Sequence, residues 1–515
     1  MTVEGWRRRA AAFVGRNQRY GKEYLMGEFV GLLCSLYLIF MTAVLSLYTG
    51  GTYWQLGDTK YILFRNVTLI SLGIWLAVTL FSAMRSLVVG QKRFLRLSVM
   101  DICMLVYMAS ALISALCSPY GRISWTGYRE WYMGAISQCL FIGIYFFVSR
   151  SYDGNKYPVY VGEAALSVVF LIGLANRLGF DPLNLMQTYT VKSWEYSHMI
   201  STIGNINWFC GYCSVMLGFP VAGYLKCREK GKKVLLYLIS VMGLVLLCIQ
   251  GSDAGALIAA SCIGIVLLYG LKDWRIFRQG LMLAAAMCLG MALYTRLARL
   301  LGPEAVAAVP ADGIGFDRMA WSGWWIIGAL LIVCALLLGR FSAKTAKRAG
   351  FILLLLLGLA AAAAAVAYAV KLPAGNGWGS GRGGLWKFAW QGFVQGDLKQ
   401  KLIGAGPDCF AEYIYSTQPA YELTPTEGFW EGTIYANAHN EWLNVLINQG
   451  LLGTAALVGI FAACIKRYKW LPFGILVIAM YGVNSLISFQ QVLSTPFLFM
   501  ALGLCENSMR KDILI

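Results

Sequence analysis

Apolar runs recur along the whole chain, and each is about 18 to 22 residues long, enough for a helix to cross roughly 30 Å of hydrocarbon. Polar and apolar positions do not alternate within a run, which argues against the strands of a membrane β-barrel. A backbone amide in lipid needs a partner within its own segment, so the runs are predicted to be helices. The pattern predicts an all-α polytopic membrane protein with about fourteen transmembrane helices. The predicted spans are residues 28–48, 61–81, 101–118, 131–149, 159–176, 203–224, 234–250, 254–271, 279–295, 320–339, 350–370, 441–463, 471–488 and 495–509.

The spacing of the runs divides the chain into four parts. These are residues 1–200 with the first five helices and an outer loop, 201–370 with helices six to eleven, 371–440 as one large extracytoplasmic loop, and 441–515 with the last three helices. The first apolar run, Phe29 to Tyr48, is too long for the core of a cleavable signal peptide and is predicted to be a signal anchor.

The charged residues indicate the orientation of the chain. Only 13% of the residues are charged, about half the share in soluble domains. Most of the 43 Lys and Arg lie in short segments that share one side of the membrane, which the positive-inside rule assigns to the cytoplasm. Both termini are then cytoplasmic and the loop 371–440 faces outward. The net charge of +18 is thus explained by topology and affinity for anionic lipid, and no nucleic-acid partner is predicted.

The loop over 371–440 is rich in aromatic residues and is therefore predicted to be ordered. Its aromatic residues include Trp378, Trp386, Trp390, Phe410, Tyr413, Tyr415, Phe429 and Trp430. Residues 384–394 suit a short helix at the membrane interface, with aromatic side chains among the lipid headgroups. Loops of this length are commonly functional, so polar chemistry is expected here.

Two residues of this region are candidate catalytic groups. His439, one of two histidines in the chain, stands where the loop meets the twelfth span and could accept a proton from a hydroxyl near neutral pH. The alternative for His439 is an interfacial or helix-capping residue. Arg382 lies among glycines, where an uncrowded guanidinium suits a bidentate grip on phosphate. The alternative for Arg382 is an anchor to lipid headgroups.

Further polar residues mark the outer ends of other spans. Asp253 stands where the seventh and eighth spans meet, and acids near membrane depth are costly and often functional. Asn205 and Asn207 open the sixth span, where they either cap the helix or bind a sugar. Together with Trp386 of the loop and Asn440 beside His439, these residues are predicted to contact substrate.

No cofactor is predicted. The sequence Gly379-Ser-Gly-Arg-Gly-Gly384 matches GxGxxG but follows no strand, and no phosphate-loop lysine motif occurs, so nucleotide use is not indicated. The cysteines and histidines have no ligand-like spacing, so no metal site is predicted.

Several short segments, taken in order, resemble the superfamily of O-antigen ligases and O-antigen polymerases. They are Gly204-Asn-Ile-Asn-Trp208, Gly251-Ser-Asp-Ala-Gly255, Ser380-Gly-Arg-Gly-Gly-Leu-Trp386, Gly404-Ala-Gly-Pro-Asp-Cys-Phe410, Ala438-His-Asn-Glu-Trp-Leu443 and Gln449-Gly-Leu-Leu-Gly453. The resemblance covers residues 200–460, about half of the chain.

The resemblance implies an inverting, metal-independent glycosyltransferase in the inner membrane that acts at the outer face in cell-surface polysaccharide synthesis. It would move a glycan from undecaprenyl diphosphate to a hydroxyl of an acceptor glycan or glycolipid, as a ligase or a polymerase. By the resemblance, His439 would activate that hydroxyl and Arg382 would bind the diphosphate leaving group. The family often carries a second arginine after the serine of the seventh–eighth turn, and this chain has Asp253 there.

A non-enzymatic transporter or flippase of lipid-linked glycans is the alternative. Such a protein is expected to carry ionisable groups near mid-span along a pathway. In this chain the polar groups gather toward one face instead, which favours chemistry at the surface.

Overall fold

A computed structural model describes residues 22–88, 97–190, 193–302, 305, 308, 323–340, 345, 347–356, 358, 381–417 and 435–511. The predicted span 350–370 and the predicted loop 371–440 lie partly outside the described residues, and so do Trp378, Phe429 and Trp430.

The described residues form helices with one short antiparallel ladder. The first half contains α1 Lys22–Ile39 with its π-helical continuation Phe40–Leu45, a 3₁₀ turn Tyr53–Gln55, α2 Leu56–Val88, α3 Val99–Cys117, α4 Arg122–Thr126, α5 Ala135–Ser151, α6 Tyr157–Arg177, α7 Trp194–His198, β1 Met199–Ile200, β2 Gly204–Asn205, α8 Ile206–Met216, α9 Gly218–Lys226 and α10 Lys230–Ile249. The second half contains α11 Asp253–Gly270, α12 Trp274–Leu301, α13 Trp324–Leu338, α14 Arg382–Gln395, α15 Leu398–Ile403, α16 Phe410–Thr417, α17 Glu441–Tyr468, α18 Pro472–Ser485 and α19 Thr495–Lys511.

Within the described ranges, nine helical segments are long and apolar enough to cross a membrane, and three shorter helices (α5, α13 and α18) are also apolar. Large apolar side chains face outward along these helices. On α2, for example, Ile70 is 63% exposed and Leu80 is 60% exposed. A soluble protein rarely exposes so much contiguous apolar surface, whereas lipid solvates it. The chain is therefore an all-α, multi-pass membrane protein.

Helix α17 is broken at Gly450, which has φ 64° and ψ −163°. The break lies roughly 14 Å along the axis from the first residue of the helix. It frees backbone carbonyls, and the chain after α15 satisfies them: Ala405 N donates to Ile447 O and Gly406 N to Asn448 O, both at 2.9 Å. Ser114 of α3 also donates to Asn448 O, at 2.7 Å. Interior backbone can leave the helical ladder at such depth because protein groups replace the lost bonds.

Helices α14, α15 and α16 pack on the first half of α17. Their contacts centre on a cluster that we term the loop core, formed by Leu385, Phe388, Ala389, Ala405, Cys409, Phe410, Tyr413, Ile414, Ala438 and Ile447. The short helix predicted over 384–394 is present as α14, but one of its faces is buried in the loop core. The loop core fixes α14 beside the start of α17.

Candidate active site

His439 lies immediately before α17, whose N-cap is Asn440. Its backbone adopts φ 46°, a left-handed conformation in which histidine, asparagine and aspartate are enriched among non-glycine residues. The backbone N–H of His439 donates to Asn437 Oδ1 at 3.1 Å. The imidazole contacts the Phe489 ring edge-on, with centroids 5.1 Å apart. The backbone bond to Asn437 and the ring contact with Phe489 hold His439 at the start of α17.

The imidazole of His439 is surrounded by protein atoms although its edge remains accessible to solvent. Burial, and secondarily the charge of Arg382, lower the pKa of His439 from 6.5 to about 3. Both causes disfavour the imidazolium form. His439 is therefore neutral at physiological pH and able to accept a proton. The pKa of His439 in the folded protein therefore differs from the ordinary imidazole value of 6.5 that the sequence alone would suggest.

Arg382 is the first residue of α14 and follows Gly381, whose φ of 86° makes the sharp turn into the helix. The charge of Arg382 acts on His439 and also on Cys210 of α8. Arg382 is therefore within electrostatic range of both His439 and Cys210. The fold brings together the two predicted catalytic groups, which are 57 positions apart in the sequence.

The predicted asparagines connect the starts of two other helices. Asn205 caps α8, because its Oδ1 accepts the backbone N–H of Asn207 at 2.8 Å. Asn207 Oδ1 in turn accepts the hydroxyl of Ser252, the N-cap of α11, at 2.7 Å. Asp253 is the first residue of α11, a position at which a negative charge suits the helix dipole. The starts of α8 and α11 are thus joined directly.

Gln250 links the start of α11 to Cys210 of α8. The Nε2 of Gln250 donates to Cys210 Sγ at 3.3 Å and to Ser252 O at 2.9 Å. The charge of Arg382 acts on Cys210 of α8 and on His439 before α17, so its guanidinium is within electrostatic range of both. The guanidinium and the N-terminus of α14 favour an anionic ligand, whereas Asp253 and Glu441 place acidic groups at the starts of α11 and α17.

The remaining predicted residues have other contacts. Trp386 packs against the loop core. Asn440 caps α17 by accepting the N–H of Leu443 at 3.1 Å, and it donates to Leu486 O at 2.9 Å. These bonds place Asn440 in the framework that holds the start of α17 beside His439. Substrate contacts of both residues remain predictions.

Sequence reasoning missed the polar network beneath His439. Glu441 is buried and accepts hydrogen bonds from Tyr481 OH at 2.8 Å and Gln490 Nε2 at 3.0 Å. Gln138 Nε2 donates to Gln490 Oε1 at 2.9 Å. The network fixes Gln490, and its neighbour Phe489 contacts the imidazole of His439. The pair Gln490-Gln491 between two apolar helices was a signal that could have been read from the sequence.

No group of three or more His, Cys, Asp and Glu side chains that could bind a metal ion occurs in the described part of the chain. No protein-family model matches this sequence, and no curated protein matches it either.

Proposed function

We propose that this chain is a membrane glycosyltransferase of the O-antigen ligase or polymerase type. It transfers a glycan from undecaprenyl diphosphate to an acceptor hydroxyl at the outer face of the inner membrane. The observation that carries the proposal is a neutral His439 at the start of α17 within the electrostatic range of the Arg382 guanidinium. The guanidinium suits a diphosphate and the imidazole suits a hydroxyl.

The proposed reaction requires these two functions and no redox step. The acceptor oxygen forms a bond to the anomeric carbon while the bond from that carbon to the phosphate oxygen breaks. The leaving diphosphate gains negative charge, which Arg382 and the N-terminus of α14 stabilise. His439 takes the proton of the acceptor hydroxyl, and positioned base catalysis of this kind contributes about 10²–10⁴ in rate. The proton then passes to solvent.

Binding of the donor also strengthens the base. In the free protein the charge of Arg382 lowers the pKa of His439. A bound diphosphate offsets that charge, and two opposite charges near a protein surface interact by about 4 kcal/mol at 4 Å. Donor binding therefore offsets the smaller, charge-based part of the shift in the pKa of His439, while the larger part, which comes from burial, remains.

The complete topology is part of the proposal. The nine long apolar segments, the helices α5, α13 and α18, the C-terminal α19 and the apolar run 350–370 together make fourteen crossings. The loop 371–440 and the site then lie outside the cytoplasm, with both termini inside.

The placement of buried charge supports an enzyme over a transporter. Lys60 is in the second turn of α2, and Asp101 is the third residue of α3. Glu506 is five residues from the end of α19 and binds Arg467 at 2.6 Å. Asp101 binds Arg150 at 2.9 Å. These groups lie near helix ends, and the two acids are paired, whereas a transport pathway requires ionisable groups near mid-span.

Transfer by the purified protein tests the proposal. The protein in lipid nanodiscs is supplied with an undecaprenyl-diphosphate oligosaccharide, and the products are separated by size. A ladder of products identifies a polymerase, and a single addition to an added glycolipid identifies a ligase. His439→Ala should reduce the rate by about 10²–10⁴.

Two further variants sharpen this test. Arg382→Lys keeps the charge but loses the planar guanidinium that can donate two parallel hydrogen bonds to a phosphate. The transfer rate of this variant should fall at least about tenfold. His198→Gln is the matched histidine control, since His198 stacks on Trp194 with centroids 4.0 Å apart in α7. Its rate should match the parent. Parental activity in His439→Ala would remove the base, and with it the proposed mechanism.

A further inference from the structure

Three aromatic rings form a corner beside His439. Trp131 contacts Trp208 of α8 with ring centroids 5.9 Å apart and planes at 90°. It also contacts Phe489, with centroids 5.0 Å apart and planes at 78°. Phe489 in turn touches the imidazole of His439. Both indoles are half-buried, so part of each remains accessible. We term Trp131, Trp208 and Phe489 the aromatic corner.

Trp131 is at the tip of a closed loop, Gly127–Gly134, between α4 and α5. The neck is too tight for side chains: a Cβ on Gly134 would lie 2.4 Å from Gly127 N, and one on Gly127 would lie 2.5 Å from Met133 N. Asp408 closes the neck, because its Oδ2 accepts the N–H of Tyr128 at 2.7 Å and that of Met133 at 2.9 Å.

The loop is also bound on its flank and strained at its tip. Tyr132 stacks on Tyr61 of α2 with centroids 4.0 Å apart, and its hydroxyl donates to Asp58 at 2.8 Å. Glu130 and Tyr132, on either side of Trp131, have φ of 76° and 52°. Non-glycine residues in such conformations are strained and cluster at functional sites. The fold therefore holds Trp131 between two strained residues.

We infer that the aromatic corner is a subsite for a pyranose ring of the acceptor glycan, an inference that rests on the proposed function. A pyranose has apolar C–H faces and a rim of hydroxyls, so one face packs on an indole while the rim stays polar. Two perpendicular indoles contact both a face and an edge of such a ring. A sugar placed there is separated from the imidazole of His439 by a single aromatic ring. Its neighbour along the glycan can present a hydroxyl to that base.

Binding of a free oligosaccharide tests the inference without requiring transfer. Two free oligosaccharides of the cell that makes the protein are tested separately: one released by mild acid from the lipid-linked glycan, which is the acceptor of a polymerase, and one released from the surface glycolipid, which is the acceptor of a ligase. The Kd of each is measured by calorimetry on the purified full chain, and melting temperatures check that each variant is folded. Trp131→Ala and Trp208→Ala should each raise the Kd about two- to thirteenfold, since an aromatic contact contributes about 0.5–1.5 kcal/mol. Trp131→Phe should recover part of the loss.

Two control variants separate this inference from the proposed function. Trp54→Ala removes a tryptophan that is 72% exposed and outside the corner, so the Kd should not change. Arg382→Gln should abolish transfer but leave binding of the free oligosaccharide intact.

The outcomes are distinct. If neither oligosaccharide binds, or if each binds equally to the parent and Trp131→Ala, the subsite is refuted even where transfer is observed. If Trp131→Ala weakens binding only of the lipid-diphosphate donor, the acceptor assignment is refuted. If binding depends on Trp131 but no acceptor is glycosylated, the corner is a glycan site and the proposed reaction is wrong.

Discussion

Gly450 is a position at which a single added methyl group should damage the site. Its φ and ψ fall in a region that only glycine readily occupies, at a cost of about 1–3 kcal/mol for other residues. A Cβ there would lie 2.5 Å from the carbonyl carbon of Leu402 and 2.6 Å from Ile403 N. These are backbone atoms, so no side-chain rotation relieves the overlap, and overpacking adds about 1–3 kcal/mol. Gly450→Ala should therefore destabilise the protein by about 2–6 kcal/mol.

A loss of this size is large against a typical net stability of about 5–15 kcal/mol. If α17 straightens to relieve the strain, Ala405 and Gly406 lose their carbonyl partners. The start of α17, which positions His439, then shifts, so transfer activity should fall together with stability.

The assay compares the fraction of protein that remains monodisperse after heating in one detergent. Gly264→Ala is the control, because Gly264 lies within α11 and a Cβ there meets nothing within 4 Å. The expected order is Gly450→Ala well below the parent, with Gly264→Ala equal to it. A Gly450→Ala protein with parental heat resistance and activity would refute the account of the broken helix.

Three other predictions follow from the charges and the topology. Selective isotope labelling of the two histidines should show by NMR that His439 stays neutral well below the ordinary imidazole pKa of about 6.5; Arg382→Gln should raise its pKa, and an unshifted titration in the parent would contradict its burial. Burial raises the pKa of Asp408 from 3.8 to about 7. Between these pH values the folded state binds more protons than the unfolded state, so the stability of the protein should decrease as the pH rises through them. Asp408→Asn should remove this pH dependence from the melting curves, and a pH profile that the substitution leaves unchanged would show that Asp408 does not titrate in this range. In intact cells lacking native cysteines in this protein, an impermeant thiol reagent should label Ser416→Cys and not Gly231→Cys, both at exposed positions; the reverse pattern would invert the proposed orientation.

The apolar pattern was sufficient to predict which segments are helical, because a long apolar run in lipid must satisfy its backbone hydrogen bonds within the run itself. The predicted span 101–118 is α3, Val99–Cys117, and the predicted span 471–488 contains α18, Pro472–Ser485. The short helix at 384–394 is α14. In each case an unpaired backbone amide in hydrocarbon costs so much that length and apolarity decide the local structure.

The residues His439 and Arg382 could be proposed from their types and neighbours, but their proximity could not. Lipid and protein interior both accept apolar side chains, so a membrane helix has little sequence periodicity to show which face meets which neighbour. Only the tertiary structure places Trp131 beside Phe489, lets Gly404–Gly406 pair with the break at Gly450, and buries His439 deeply enough to lower its pKa. The sequence by itself determined which segments are helical, because that depends on each segment and the lipid alone. The tertiary structure decided the site, because its electrostatics depend on contacts between segments far apart in the chain.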